Sequence, residues 1–479
     1  MLGRILDFDI VVTLLSKKYE SLMLKCSLNF ALFTSLCCLQ FLLSSEIHAA
    51  EPVRIATFDV DASTPVGSPL AYDPSVGVQT PLSCRGIVIL SEQKPIVLCA
   101  VDWLGIASGG QTVFKEALAA AAQTDTTRVV VHTLHQHDAP RCDFTAFDLL
   151  SAEGAENIGF DERHARSVVN DAANAITKAI PKASPVTHIG RGEGTVEKVA
   201  SNRRILGEDG KVKYTRFTAT RDPKIRAFPA GTIDPMLKSV SFWNEDKPVA
   251  VLTYYATHPQ SYYRTGLANP DFPGLARNSR QTELGVPHIH FNGAGGNIGA
   301  GKWNDGSKEN RQVLADRVAD GMKKAWEATK KTPMTCDDIR WKSTDVLLPV
   351  ADHLDEELLV KTYKNKEAAA ADRWFAAKNL TWLRRCQMED PIQISCLKLG
   401  DIEILHLPGE LFVEYQLSAQ KMAPDRFVPM AAYGDYAPGY IGTRIAYSQG
   451  GYEPSARASR VSPEVEELLL NSMQHLLNE

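Results

Sequence analysis

Three histidines, His132, His135 and His137, stand in the stretch Val129–Pro140, VVVHTLHQHDAP. Imidazole nitrogens bind metals and carry protons near neutral pH, so histidines this close together are a candidate chemical centre. The β-branched residues Val129, Val130 and Val131 suit a packed, pleated strand. Asp138, Ala139 and Pro140 stop it, since proline cannot donate to a ladder. In extended chain His135 and His137 point to the same side, as two ligands of one ion would. A second buried strand, PVAVLTYYA, runs into Thr257, His258 and Pro259. A carboxylate, Glu410, follows a hairpin at Ile392–Leu399 and Ile402–Leu407 and is expected to begin a helix, ELFVEYQLSAQKM, where negative charge suits the positive end. Catalytic zinc takes three His or carboxylate ligands and leaves a place for water. His135, His258 and Glu410 each follow a strand, and in α/β folds such ends gather along one edge. Each also has a plain structural reading, as a hydrogen-bonded core histidine or a helix cap.

The surrounding elements alternate. Residues 51–60 (EPVRIATFDV), Cys84–Leu90 and Pro95–Val101 read as strands, and Gln111–Gln123 as an alanine-rich helix. Asp161–Ile180 has helical spacing, with Asp161 as cap and Pro181 as stop. Leu237–Ala256 reads as a hairpin, Pro287–Asn292 as a strand opening into the glycine loop Gly293–Gly301, and Asn310–Thr329 as an amphipathic helix. Asp355–Arg385 reads as one long helical region, and Ser462–Leu477 as a closing helix. No Pro/Ser-rich linker and no internal repeat divides the chain. The expected architecture is one large α/β domain over 51–479, with a mixed β-sheet, flanking helices and a ligand site at strand ends.

The chain has 479 residues, 44% apolar and 23% charged, with a formal net charge of −5. No basic block argues for nucleic acid. Lys25, the apolar run Cys26–Leu43 and the small residues Ala49 and Ala50 form the pattern of a secretory signal peptide over residues 1–50, with Met23 as an alternative start. The rival reading is a retained anchor, because a run of ~18 residues lies at the lower edge of what spans a bilayer. Cleavage would leave a secreted or periplasmic protein with no transmembrane helix in the mature chain. Cys84, Cys99, Cys142, Cys336, Cys386 and Cys396 would remain. They include no C-x-x-C pair, which argues against a cysteine zinc site and leaves disulfide pairing open.

Taken in order, these segments resemble the neutral/alkaline (non-lysosomal) ceramidase family over about Ile55–Ala456. HQHDAP (135–140) is similar to that family's HTHSGP, NRR (202–204) to its NRS loop, and LPGELF (407–412) to its PGE motif. Asp234–Pro235, the strand ending at His258, and NPDFPG (269–274) fit in order and spacing. GYIGT (439–443) and GGYEPS (450–455) are similar to its YxxT and YEG/YEA segments. The resemblance implies a zinc-dependent amidohydrolase of sphingolipid metabolism. It implies His135, His258, Glu410 and Tyr440 as zinc ligands and metal-activated water as the attacking group. It implies that His137 and Tyr452 contact the reacting carbonyl, and that Arg203 holds a polar substrate group or orders His137.

Two departures stand out. Where the family has GDxSPN, this chain has Asn292–Asn297, NGAGGN, and Gly295 takes the serine position. The loop, with Gly295 and Asn297, is then expected to line the substrate and supply amide donors. Its glycines do not make a dinucleotide motif, because Ile298 stands where a third glycine is needed. The family's immunoglobulin-like C-terminal domain is not expected here, which with Gly295 opens the substrate to a lipid-like or other small amide or ester. Two alternatives stay open. One is a non-catalytic relative that binds a lipid or glycan. The other is a two-metal phosphoesterase that would draw on Asp102 and Asp138.

Overall fold

Apolar alternation in Arg54–Asp61 and the fully buried strands Ser83–Leu90 and Ile96–Val101 build the first of three principal sheets. In the computed structural model the described residues are 52–155 and 158–478, with Tyr19 and Met23. The leader expected over 1–50 lies outside them, those two residues apart. Pro52–Glu479 clusters as one unit. Among the described residues no helix is long and apolar enough to cross a membrane.

The first sheet runs, in spatial order, Val129–Thr133, Ile96–Val101, Ser83–Leu90, Arg54–Asp61 and Ser184–Pro185. Its edge strand, Val129–Thr133, pairs parallel with Ile96–Val101. The second sheet runs His288–Asn292, Lys247–Tyr255, Met236–Asn244, His188–Thr195 and Lys330–Pro333, and its edge strand His288–Asn292 is again parallel to its neighbour. The third runs Ile339–Val346, Ile392–Leu399, Ile402–His406 and Met430–Ala431, the last pair parallel. The fold is thus mixed α/β as expected, with the sheet divided into three.

The sheets share one apolar core. Ile87 and Leu98 of the first meet Phe242 and Leu252 of the second and Leu397 and Ile404 of the third. Helices cover the outer faces, because each sheet has a second apolar face to bury. Gly109–Ala122 and Glu162–Ala179 pack on the first sheet, Asp271–Leu284 and Glu309–Glu327 on the second, and Val465–Asn478 on the third. The expected cap is present: Asp161 accepts a hydrogen bond from the His164 amide.

The expected long helix at 355–385 is two helices, Glu356–Lys364 and Ala370–Gln387. Asn365 breaks it, because its side chain accepts from the Glu367 amide and its carbonyl from Ala368, a local bond that competes with the helix. Among the described residues Cys84, Cys99, Cys142, Cys386 and Cys396 are free thiols, with Cys84 and Cys99 approaching to 3.6 Å.

Candidate metal centre

The strand that carries the first histidines ends at Thr133, earlier than the sequence suggests. His135 and His137 lie in the loop beyond it, and His135 is in the left-handed region at φ 62°. That conformation is uncommon for a residue with a Cβ. It is held by the His135 amide donating to the Trp103 carbonyl and by Nδ1 lying 2.6 Å from the Leu104 carbonyl. With Nδ1–H so engaged, Nε2 faces Glu410 Oε2, 3.2 Å away, an ion pair when that nitrogen carries a proton and an open donor to a cation when it does not.

Glu410 does not open a helix. Glu410–Leu411 forms a two-residue parallel pair with Tyr440–Ile441, and the helix starts only at Val413. The register sets Glu410 directly beside Tyr440. No helix dipole therefore supports the carboxylate. Burial would push its pKa up, but the His135 imidazole and the Tyr436 and Tyr440 hydroxyls outweigh that and hold it below the ordinary range. Tyr436 donates to Oε1 at 2.8 Å, and Oε2 has no hydrogen-bond partner.

His258 closes the group. Its Nδ1, also without a hydrogen-bond partner, is 3.8 Å from Glu410 Oε2, and its Nε2 is 3.0 Å from His137 Nε2. One ring nitrogen from each of His135, His137 and His258 lies within 4.8 Å of the others. Burial, with His135 and Arg203 adding, holds both His137 and His258 well below the usual imidazole range, so both are neutral and able to ligate. Donor atoms ~2.0 Å from a tetrahedral ion stand ~3.3 Å from one another. The 3.2 and 3.8 Å separations around Glu410 Oε2 match that spacing. Leaving a buried carboxylate oxygen and a buried imidazole nitrogen unpaired costs ~1–3 kcal/mol each; a shared cation removes both penalties.

The glycine loop is closely packed. A Cβ on Gly295 would meet the Thr257 backbone at 2.7–3.0 Å, and one on Gly296 would meet the Glu410 carbonyl oxygen at 2.3 Å. The loop is wedged between the segments that carry His258 and Glu410, and only glycine lets them approach so closely. Four of its amides donate inside the fold: Gly293 to Tyr255, Ala294 to Gln416, Gly296 to Leu411 and Ile298 to Gly295. The Asn297 side chain likewise bonds Glu414 and the Val413 amide. These groups fasten the loop.

Arg203 does not touch His137. Its guanidinium donates to the Tyr440 hydroxyl at 3.2 Å and pairs with Glu453 at 3.1 Å, 3% exposed. Burial works against its charge, but Tyr440 and Glu453 prevail and raise its pKa. Arg204 holds the other Glu453 oxygen at 3.0 Å. Tyr452 packs edge-on to Tyr440 with ring centres 5.8 Å apart. Asp102 and Asp138 stay outside the cluster. Asp102 forms a fully buried pair with Arg277, and Asp138 accepts from Thr265 and the Arg264 amide. Sequence reasoning missed Tyr436, Gln260 (3.0 Å from His137 Nδ1), Glu453 and the Leu104 carbonyl. The tyrosine-rich 433–452 loop was the available signal for Tyr436; a backbone carbonyl leaves none.

No sequence-family profile matches the chain, and no curated protein matches it. Solved structures do. A ceramidase complexed with C2 aligns with a TM-score of 0.64 at 17% identity, covering 89% of this chain and 74% of that one. Neutral ceramidase from Pseudomonas aeruginosa aligns at 0.65, with the same identity and coverage. At this identity the likeness is one of architecture, and the chain has the fold of the neutral ceramidases.

Proposed function

We propose that the protein is an exported, zinc-dependent hydrolase that cleaves an amide or ester bond of a lipid-like or other small substrate. One observation carries the reading: His135, His258 and Glu410, from three distant segments, turn an open Nε2, an orphaned Nδ1 and an orphaned Oε2 toward one point. Nitrogen and carboxylate donors in this number suit zinc and leave room for water. Zinc held there would supply Lewis acidity, lowering the pKa of a coordinated water from ~15.7 to roughly 7.

The chain's own residues do the rest. The Leu104 carbonyl fixes the His135 tautomer, and Tyr436 keeps Glu410 turned so that Oε2 faces the histidines. Tyr440 is the fourth ligand in this reading, its hydroxyl held by Arg203. That makes Arg203 a positioning residue. His137 and Tyr452 flank the ligands and are the donors for a developing oxyanion, a role worth ~3–4 kcal/mol per donor. The leader pattern at Cys26–Leu43 supports export.

Metal analysis of the purified protein tests the reading. Close to one zinc per chain should survive dialysis and be absent from a His135→Ala/His258→Ala variant; a wild type without metal overturns it. Gly295 favours a second reading, a non-catalytic lipid or glycan binder, because its packing against Thr257 bars a side-chain nucleophile there. A panel of amide, acyl-ester and phosphoester substrates separates the two, since only the hydrolase shows metal-dependent turnover.

A further inference from the structure

The metal ligands are buried, and the site reaches solvent past aromatic rings. Tyr72, 41% exposed, stacks on His137 with ring centres 5.5 Å apart, and the partly exposed Tyr263 packs against the same imidazole at 5.2 Å. Tyr436, also partly exposed, bonds Glu410. Cations sit on these rings. The Arg141 guanidinium lies 5.8 Å from the Tyr72 ring and 5.9 Å from that of Phe375. Lys378 Nζ lies 5.1 Å from the same Phe375 ring and 5.4 Å from Tyr436. Farther out, exposed Arg264 covers Tyr72 and Tyr263 at 5.4 and 5.6 Å. An arc of rings and positive side chains thus runs from the stacking partner of His137 to the hydrogen-bond partner of Glu410.

No carboxylate of the described residues pairs with these side chains, and burial, with Arg460 and Arg141 adding, pushes the Lys378 pKa well below the ordinary range, so an anion set beside it would restore its charge. Among the described residues Arg141, Lys378 and Arg264 make no ion pair, and Arg141 Nε is buried without any partner. Lys378 is 5% exposed. The carboxyls that act on it are Asp143, which accepts from the Ala146 amide as a helix cap, and Glu410 of the metal centre. A chain of net charge −5 has acid to spare, so a cationic rim here is local construction rather than composition. Lys378 is already out of water and, among the described residues, the Arg141 guanidinium has only the Ala71 carbonyl as hydrogen-bond partner, so a neutral lipid amide would leave both without a counter-charge.

We propose that the substrate carries an anionic group, a carboxylate, sulfate or phosphate, near the bond to be cut, and that Arg141 and Lys378 receive it, with Arg264 at the outer edge. This rests on the hydrolase reading for the bond but not for the anion. Such a site selects against neutral ceramide-like amides by leaving its cations unpaired when they bind.

Calorimetric binding of two non-hydrolysable probes to the metal-loaded protein tests it: dodecanesulfonyl-glycine and its uncharged carboxamide. The carboxylate should bind at least about tenfold more tightly, as charge-assisted hydrogen bonds allow. That ratio should shrink at high salt and fall to about threefold or less in Lys378→Met and in Arg141→Met. Arg264→Ala, at an exposed position that the fold tolerates, should lower the ratio by a smaller step and serves if a buried replacement fails to fold. Equal affinity for the probes in wild type, binding of neither, or a ratio unchanged in every folded variant overturns the proposal. Charge preference without turnover of any amide or ester sinks the hydrolase reading alone. Turnover without charge preference sinks this one alone.

Discussion

Two groups of histidines flank the end of one strand, and they differ in what surrounds them. His135, His137 and His258 adjoin Glu410 and open past tyrosines toward solvent. His132 and His406 lie equally close, Nε2 to Nδ1 at 3.2 Å, with His132 Nδ1 2.7 Å from the Ala432 carbonyl. Burial lowers the pKa of both, His132 to about 4, and no carboxylate acts on either. His406 Nε2 is also buried without a hydrogen-bond partner, so what this pair lacks is a carboxylate beside it. The first group contains a buried carboxylate oxygen and an imidazole nitrogen that nothing in the chain satisfies. Proximity of histidines does not make a metal site; a buried acid left one bond short does.

The sharpest break in this contrast comes from ligand removal. His135→Ala/His258→Ala should take bound zinc from near one per chain to below a tenth and, with several kcal/mol of Lewis-acid stabilisation gone, cut hydrolysis about a thousandfold or more. Elemental analysis and single-turnover rates read the two effects separately.

Next in size is the support behind Glu410. Tyr436→Phe deletes the hydrogen bond to Oε1 and should weaken zinc binding ~10–100-fold, measured by competition with a chelator. An unchanged affinity would mean that the hydroxyl does not orient the acid. Gly295→Ser probes the wedge. A Cβ against the Thr257 backbone should lower unfolding free energy by ~1–3 kcal/mol without raising turnover; a more active, equally stable variant would show that a hydroxyl fits there.

His406→Leu is the control from the pair without a carboxylate. Zinc content and turnover should match wild type, while the loss of one hydrogen bond costs ~1 kcal/mol in thermal or urea unfolding. Loss of zinc in this variant would erase the distinction. The smallest effect concerns Asp143, whose carboxyl burial pushes up to about 7, with Asp435 adding to the rise and the Ala146 amide and Lys378 opposing it. A carboxyl raised in the folded state binds more protons folded than unfolded, so it subtracts stability progressively as pH rises from about 4 to 7. Asp143→Asn keeps the cap and should flatten stability across that window. An unaltered pH profile in urea unfolding would contradict it.

The helices with clean periodicity and the strands with β-branched runs were legible before any coordinates. Glu162–Ala179 with its Asp161 cap, the hairpin Met236–Asn244/Lys247–Tyr255 and the strand Ile392–Leu399 form where local chemistry points. Where a single side chain decides, local reading failed. Asn365 split a helix through one competing hydrogen bond, and Glu410, a good helix-opening residue by type, was drawn into a parallel pair with Tyr440 instead.

Residue type and spacing single out His135, His258 and Glu410 as candidate donors without a structure, and the family resemblance adds His137, Arg203 and Tyr440. Only the tertiary structure decided their placement. It set the positive φ that turns His135, the register that sets Glu410 against Tyr440, and the glycine wedge that draws His258 and Glu410 together. It also decided that His132, in the strand just before the loop of His135, would pair with His406 and stay out of the site. Side-chain type is local, whereas an unsatisfied buried atom exists only once every neighbour has taken its place.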